Sequence, residues 1–321
     1  MPSTRIAAIL TCHNRRDKTV ACLESLRSQI LAGWNPAGVG NSSMSNEERD
    51  ADSLSTLDSR LSPSSTIRPQ VSGFGPQVSS LSSNRYAIDV FLTDDGCTDG
   101  TSDAVLKTWP ETTIIQGDGN LFWCGGMRLA WKEAAKSDPD YYLLLNDDTT
   151  LYPNAIEHLL RVCPAPSLDR IAVGAVCDPI TREWSYGGLQ SDHEFPMPDG
   201  HPRQCRTMNT NCALIPRAVC QRIGIFYHAY RHAMGDMDYG LVATRAEIAL
   251  LETPEFVGQC SRNPTRGTWK DTNLSRAERF RKLLSVKGLP PRDWLAYCTR
   301  NCGGKWPRYF FSPLLRILAG R

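Results

Sequence analysis

An α/β fold with a buried, mainly parallel central sheet and a helical C-terminal extension is predicted by three observations. Four apolar runs, at residues 6–11, 88–93, 141–145 and 171–176, show little of the polar alternation of a half-exposed strand and read as strands covered on both faces. The first opens into polar loop and then helix, with Val20, Leu23 and Leu26 at helical spacing, so residues 6–26 make one strand–loop–helix unit. Carboxylates and glycines collect where these runs end, and the C-terminal strand ends of an open α/β sheet are where ligands bind.

Tyr141-Tyr142-Leu143-Leu144-Leu145 runs straight into Asn146-Asp147-Asp148-Thr149-Thr150 and organises the reading. A buried strand that ends in carboxylates suits a metal-bridged diphosphate, because Mg²⁺ is often held by one or two carboxylates with phosphate and water oxygens completing its shell. An acidic cap before the helix that starts near Pro153 and Asn154 is the equally open structural reading. The first strand empties into Thr11-Cys12-His13-Asn14-Arg15, where Arg15 at a strand end suits a phosphate or a base edge. Ser, Asn, Gly and Pro dominate residues 33–85, which are read as a disordered insertion inside one α/β unit. The second strand ends at Asp94-Asp95-Gly96, a pair of carboxylates able to accept from a pyrimidine N–H or a ribose hydroxyl, or to shape a turn.

A third strand at 113–116 leads to Gly117-Asp118-Gly119-Asn120-Leu121-Phe122-Trp123-Cys124-Gly125-Gly126-Met127, and a helix is expected to open at Arg128. Glycines this dense would let backbone approach a ligand, with free helix N–H groups behind them. Neither a P-loop nor a G-x-G-x-x-G at the first strand is present, which weakens ATP and dinucleotide readings. Strands at 171–176 and near 212–216 follow, with residues 177–205 loop-like and a helix over 218–223. The stretch Gly235-Asp236-Met237-Asp238-Tyr239-Gly240 offers either helix caps or a general base. His228 and His232 just before it read as structural or solvated.

The 321 residues are 41% hydrophobic and 22% charged with a net charge of +2, so bulk charge points to no nucleic-acid partner. Residues 262–321 hold 14 Lys/Arg against 3 Asp/Glu, a net +11, which leaves −9 on residues 1–261. That basic stretch interleaves Trp294, Tyr297, Trp306, Tyr309, Phe310 and Phe311 and could pack on the body or lie peripherally at a membrane surface. The 12 cysteines form no C-x-x-C pair and read as reduced thiols. With no apolar run near the ~18 residues of a spanning helix, a cytoplasmic protein is the default expectation. The chain is expected to divide into a main α/β domain over 1–260 and a basic, aromatic helical extension over 261–321.

Taken together and in this order, the Thr11–Arg15, Asp94–Thr101, Gly117–Met127, Leu145–Thr149 and Gly235–Gly240 stretches resemble the motifs of family 2 glycosyltransferases of the GT-A fold, notably rhamnosyltransferase-like members. The resemblance covers nearly the whole chain apart from the insertion. It implies a three-layer α/β/α body and inverting transfer of a rhamnose-like or other hexose from a UDP- or dTDP-linked donor to a glycan or glycolipid hydroxyl. It puts Thr11, Asn14 and Arg15 around the nucleotide and Asp94, beside Asp95, at the base. Asn120, Trp123, Gly125 and Gly126 then line the donor pocket; Asn146 and Asp147 touch donor; Asp148 holds Mg²⁺ or Mn²⁺; Asp238 lies near substrate; and Asp236 is the catalytic base. Asn146 leaves the metal site one charge poorer than an Asp would, and Val242 stands where many relatives carry Arg, with Arg245 as a substitute. A non-catalytic nucleotide-sugar-binding protein and a sugar nucleotidyltransferase are the alternatives.

Overall fold

Why the apolar runs lack alternation is plain from their surroundings in the computed structural model, which describes residues 4–31, 86–190 and 197–320. The insertion expected at 33–85 lies outside these residues. β1 (Thr4–Cys12) is followed by α1 (Arg16–Leu31), β2 (Tyr86–Asp94) by α2 (Thr101–Thr108), and β3 (Thr113–Gln116) by α3 (Phe122–Ala135). β4 (Tyr141–Leu145), β5 (Thr150–Leu151), α4 (Ala155–Val162) and β6 (Arg170–Cys177) come next. An excursion of short strands, β7 (Trp184–Tyr186), β8 (Gly188–Leu189), β9 (Arg203–Cys205) and β10 (Thr207–Met208), returns through β11 (Cys212–Pro216), α5 (Arg217–Ile223), α6 (Gly235–Arg245) and β12 (Ala249–Gln259). Three helices close the chain: α7 (Arg276–Leu284), α8 (Pro291–Asn301) and α9 (Trp306–Leu318).

The main sheet has the order β3-β2-β1-β4-β11-β6-β12-β5, with β7 on β6 and β9 on β12. β1 to β4 are mutually parallel and β12 is parallel to β6, whereas β11 runs antiparallel between β4 and β6. Register pairs Cys12 with Asp94 and Asp94 with Gln116, so the first three strands end at one rim. Along β1, Ile6, Ala8 and Leu10 face a core shared with Leu23 and Leu26 of α1 and Leu159 of α4. Ala7 and Ile9 face a second core with Met127 and Trp131 of α3 and Tyr239 of α6. Both sides of the strand are therefore dry, which gives a three-layer α/β/α body and removes any selection for alternating polarity.

Two departures from the sequence reading have clear causes. α3 begins at Phe122, six residues before the expected start at Arg128, so Gly125 and Gly126 are helical. A Cβ on Gly126 would sit 2.1 Å from Thr11 Oγ1, and this glycine is what lets α3 lie directly on β1. β12 goes unforeseen because Glu252-Thr253-Pro254-Glu255 interrupts its apolar pattern; the interruption is a bulge in the pairing with β6. Glu252 is buried there, accepting from Trp184 Nε1 and Gly188 N, each at 2.9 Å. All 12 cysteines are free thiols, nine of them buried.

The extension is tied to the body by buried carboxylates. Asp293 of α8 accepts from the backbone N and the guanidinium of Arg231, at 3.0 and 3.4 Å. Asp238 of α6 receives Arg300 and Asn301 from the other end of α8. α7 opens with a reciprocal Ser275/Glu278 capping box, and Trp294 Nε1 donates to the Phe310 carbonyl of α9 at 3.1 Å.

Candidate active site

The loops after β1 and β2 brace each other. Asn14, at φ 51°, accepts through Oδ1 from Thr98 N at 2.7 Å, and its own N–H points at Cys97 Sγ, 3.2 Å away. Asp94 is buried, with Oδ1 taking Cys97 N at 2.6 Å and Oδ2 taking the Ser102 hydroxyl. Both oxygens expected to meet a base are thus used inside the turn. Asp95 is equally committed: it accepts from Gly119 N at 2.9 Å, Leu121 N at 3.2 Å and Phe122 N at 2.9 Å, stitching the glycine-rich loop to β2. Thr11 is buried beneath Gly126, and its hydroxyl donates to Thr93 O at 3.3 Å.

The glycine-rich loop accordingly turns its amides inward. Cys124 N and Gly125 N both donate to Arg231 O, at 2.9 and 3.1 Å, so the α3 N-terminus is capped by the loop before α6. The free helix N–H groups anticipated there are occupied, and Gly125 and Gly126 serve packing. Asn120 is exposed, turned back on Asp118. Trp123 reaches the strand end: its Nε1 donates to Asn146 Oδ1 at 2.9 Å, and its ring lies 5.6 Å from that of Phe226.

At the end of β4 the charges meet. Arg15 forks across two carboxylates, Nη1 to Asp147 Oδ1 at 2.7 Å and Nη2 to Asp148 Oδ2 at 2.9 Å. The Asp147 side chain is 5% exposed and that of Asp148 14%. Burial pushes the Asp147 carboxyl up to about 6 against the opposing pull of Arg15. Cys260, just past β12, points its thiol at Asp148 Oδ1, 3.6 Å away.

Asp236 stands in the first turn of α6 with different neighbours. It is half-buried, accepts from Met237 N at 2.8 Å and from Asn209 Nδ2 at 3.3 Å, and has no ion pair among the described residues. Burial raises its pKa, and these hydrogen bonds only partly oppose the rise. Asp238, two residues on, is 2% exposed and bound at 3.2 Å by Arg300 Nε and Nη2 and at 2.6 Å by Asn301 Nδ2. Its expected place near substrate gives way to anchoring α8. Arg245, the anticipated stand-in for the missing Arg at Val242, donates to Asn301 Oδ1 at 2.8 Å.

Asp148 and Asp236 belong to one region because a single short segment, residues 209–211, touches both neighbourhoods. Asn211 O accepts from Asn146 N at 3.1 Å, while Asn209, two residues earlier, donates to Asp236. Gly235 packs on Cys124, which follows the Trp123 bound to Asn146; a Cβ on Gly235 would be 2.4 Å from Cys124 Sγ. Asn209, Asn211, Arg231 and Cys260 are the residues sequence reasoning missed. Asn209-Thr210-Asn211 in front of an apolar strand was the available signal for two of them.

Among the described residues no group of three or more His, Cys, Asp or Glu could cage a metal. The donor set still fits a divalent ion bound mainly through a ligand's phosphates: Asp148 offers a partly accessible carboxylate, Asn146 Oδ1 is taken by Trp123, and Asp147 sits deeper beside Arg15.

Residues 77–223 match the sequence model of Glycosyl transferase family 2. A search of curated proteins finds no match. Among solved structures the chain is similar to the mannosyltransferase PcManGT from Pyrobaculum calidifontis in complex with GDP-Man and Mn²⁺, at 14% identity and TM-score 0.50 over 99% of this chain and 69% of that one. It is also similar to S. aureus TarS 1-349, at 11% identity and TM-score 0.48 over 96% and 72%. The body of the chain has the GT-A glycosyltransferase fold, and its segment 77–223 is similar to glycosyl transferase family 2.

Proposed function

We propose that the protein is an inverting glycosyltransferase that moves a sugar from a nucleotide-diphospho-sugar to an acceptor hydroxyl. The observation that carries this reading is the pairing, across residues 209–211, of a cation-bridged carboxylate pair with a half-buried carboxylate that meets no cation among the described residues. Asp236 takes the proton of the acceptor hydroxyl as its oxygen attacks the anomeric carbon opposite the leaving group. The bond from that carbon to the diphosphate oxygen breaks, and the nucleoside diphosphate departs with its electron pair. A pKa raised by burial makes Asp236 a stronger base than an exposed Asp.

Arg15, drawn from the carboxylates onto the diphosphate, neutralises charge that develops on the leaving group. Asp148, with Asp147 behind it, would hold Mg²⁺ or Mn²⁺, which supplies Lewis-acid stabilisation of the same charge when bound. Trp123 fixes Asn146 and with it the turn that carries both acids. The Asp94 oxygens are used within their own turn, so donor recognition rests on the diphosphate and the sugar. A deoxyhexose such as rhamnose is the first donor to try, and a glycan or glycolipid the acceptor class.

The presence of Asp236 in a base-like setting favours turnover over the non-catalytic binding protein. A panel of nucleotide sugars, read by thermal stabilisation with and without Mn²⁺ and by release of nucleoside diphosphate, tests the reading. Asp236→Asn should lower kcat by at least about 10²-fold while the nucleotide Kd stays within about twofold. Full turnover in that variant removes Asp236 from the base role, and no stabilisation by any nucleotide sugar removes the transferase reading itself.

A further inference from the structure

Helix α9 leaves an apolar stripe facing solvent. Phe311, Leu315 and Leu318, at i, i+4 and i+7, are 50%, 61% and 54% exposed, while Pro313 and Ile317 on the opposite side are buried. Nine large hydrophobic side chains are exposed among the described residues, and six of them, these three with Leu284, Leu295 and Tyr309, lie in α7 to α9. Scattered exposure would not concentrate in this way.

The flank of the stripe is basic. Lys305, Arg308 and Arg316 are exposed and share one helical side, and none makes an ion pair among the described residues. No Asp or Glu follows Asp293, whereas five Lys or Arg do. A second copy of the chain docked through α9 by two-fold symmetry would set these cations against their own counterparts, with no carboxylate on the helix to offset them. An anionic bilayer surface instead offers both an apolar layer for Phe311, Leu315 and Leu318 and lipid headgroup charge for the flank.

We propose that α9 is an interfacial helix that holds the protein on anionic membrane surfaces through this stripe and its basic flank. The assignment is independent of the transferase reading. Its surface is separate from the α8 contacts to Asp238 and Arg231, so binding leaves the site's supports in place.

Co-sedimentation of the full chain with vesicles of phosphatidylcholine alone and of phosphatidylcholine with phosphatidylglycerol tests it. Binding should favour the anionic vesicles and weaken with salt. Phe311→Ser/Leu315→Ser/Leu318→Ser should cut partitioning by at least about tenfold. Arg308→Gln/Arg316→Gln should cut it on anionic vesicles by about fivefold or more and leave the neutral ones unaffected. Both variants change only exposed side chains, and unchanged circular dichroism and melting confirm that each is folded. Absence of binding to anionic vesicles, undiminished binding of the triple variant, or a dimer in light scattering that the triple variant dissolves would each overturn the proposal.

Discussion

Replacing Arg15 with Gln removes the only cation paired with Asp147 among the described residues, and the cost should depend on pH in a direction the structure fixes. Breaking a buried pair from one side costs about 3–5 kcal/mol, but the Arg15 side chain is 39% exposed and solvent screens part of the interaction, so about 2 kcal/mol is expected near pH 8. The Asp147 carboxyl lies at about 6 in the folded protein, above the ~3.9 of an unfolded Asp. The folded state therefore holds a proton over that window which the unfolded state has released, and this group's contribution to stability falls as pH rises from about 4 to 6. Arg15 lowers that pKa, so its loss moves the folded value upward and widens the window. The difference between wild type and Arg15→Gln should then be largest near pH 8 and shrink towards pH 5, where Asp147 is protonated in both and only the Asp148 contact distinguishes them. Urea unfolding of both proteins at the two pH values gives the numbers directly. Equal losses at pH 5 and pH 8 would show that the Arg15–Asp147 pair is not what the substitution breaks, as would failure of Asp147→Asn to recover most of the loss.

Other consequences are open to measurement. The pH profile of kcat/KM should show an acidic limb set by Asp236 above the usual Asp range, with rate lost as pH falls through it; a rate that holds flat down to about pH 4 would remove Asp236 as the group whose ionisation limits turnover. Asp238→Ala leaves Arg300 and Asn301 without their shared acceptor and should destabilise by about 3 kcal/mol while exposing α8 to limited proteolysis, and an unchanged cleavage pattern contradicts the anchoring role. Gly126→Ala drives a Cβ into Thr11 and should cost about 1–3 kcal/mol in melting experiments, part of which Thr11→Ala in the same chain returns.

Much of the fold was legible because buried strands announce themselves. The runs at 113–116 and 141–145 coincide with β3 and β4, and those at 6–11, 88–93 and 171–176 fall short of β1, β2 and β6 by one or two residues at each end. What the sequence concealed depended on tertiary contact. Gly125-Gly126 reads as loop because glycine disfavours helix, yet close approach of α3 to β1 overrides propensity. The Glu252–Glu255 interruption reads as a strand end, yet Trp184 and Gly188, far off in sequence, satisfy the buried acid. The same limit governs the site. Which residues are acidic and where the strands stop can be read from the sequence, whereas whether a carboxylate faces ligand or scaffold is decided by its partners. Asp95 and Asp238 both went to scaffold, because each found three donors on distant segments.

That sorting of carboxylates is also what divides labour at the rim. Asp147 and Asp236 are both pushed upward by burial, but Asp147 has a guanidinium 2.7 Å away, while Asp236 meets an amide side chain and backbone N–H groups and no cation among the described residues. The charge of Asp147 is directed at that guanidinium. Asp236, with no cation beside it among the described residues, is the carboxylate of the two whose charge faces no competing ion, and it is the better placed to accept a proton from a ligand. The extension takes part in fixing the element that carries Asp236. Asp293 of α8 holds Arg231, whose carbonyl caps α3 at Cys124 and Gly125, while Arg300 and Asn301 hold Asp238 one half-turn from Asp236. Its ion pairs to the buried Asp293 and Asp238 therefore orient the elements that present Asp236, and α8 is part of the scaffold of the candidate site although none of its side chains is among the candidate reacting groups.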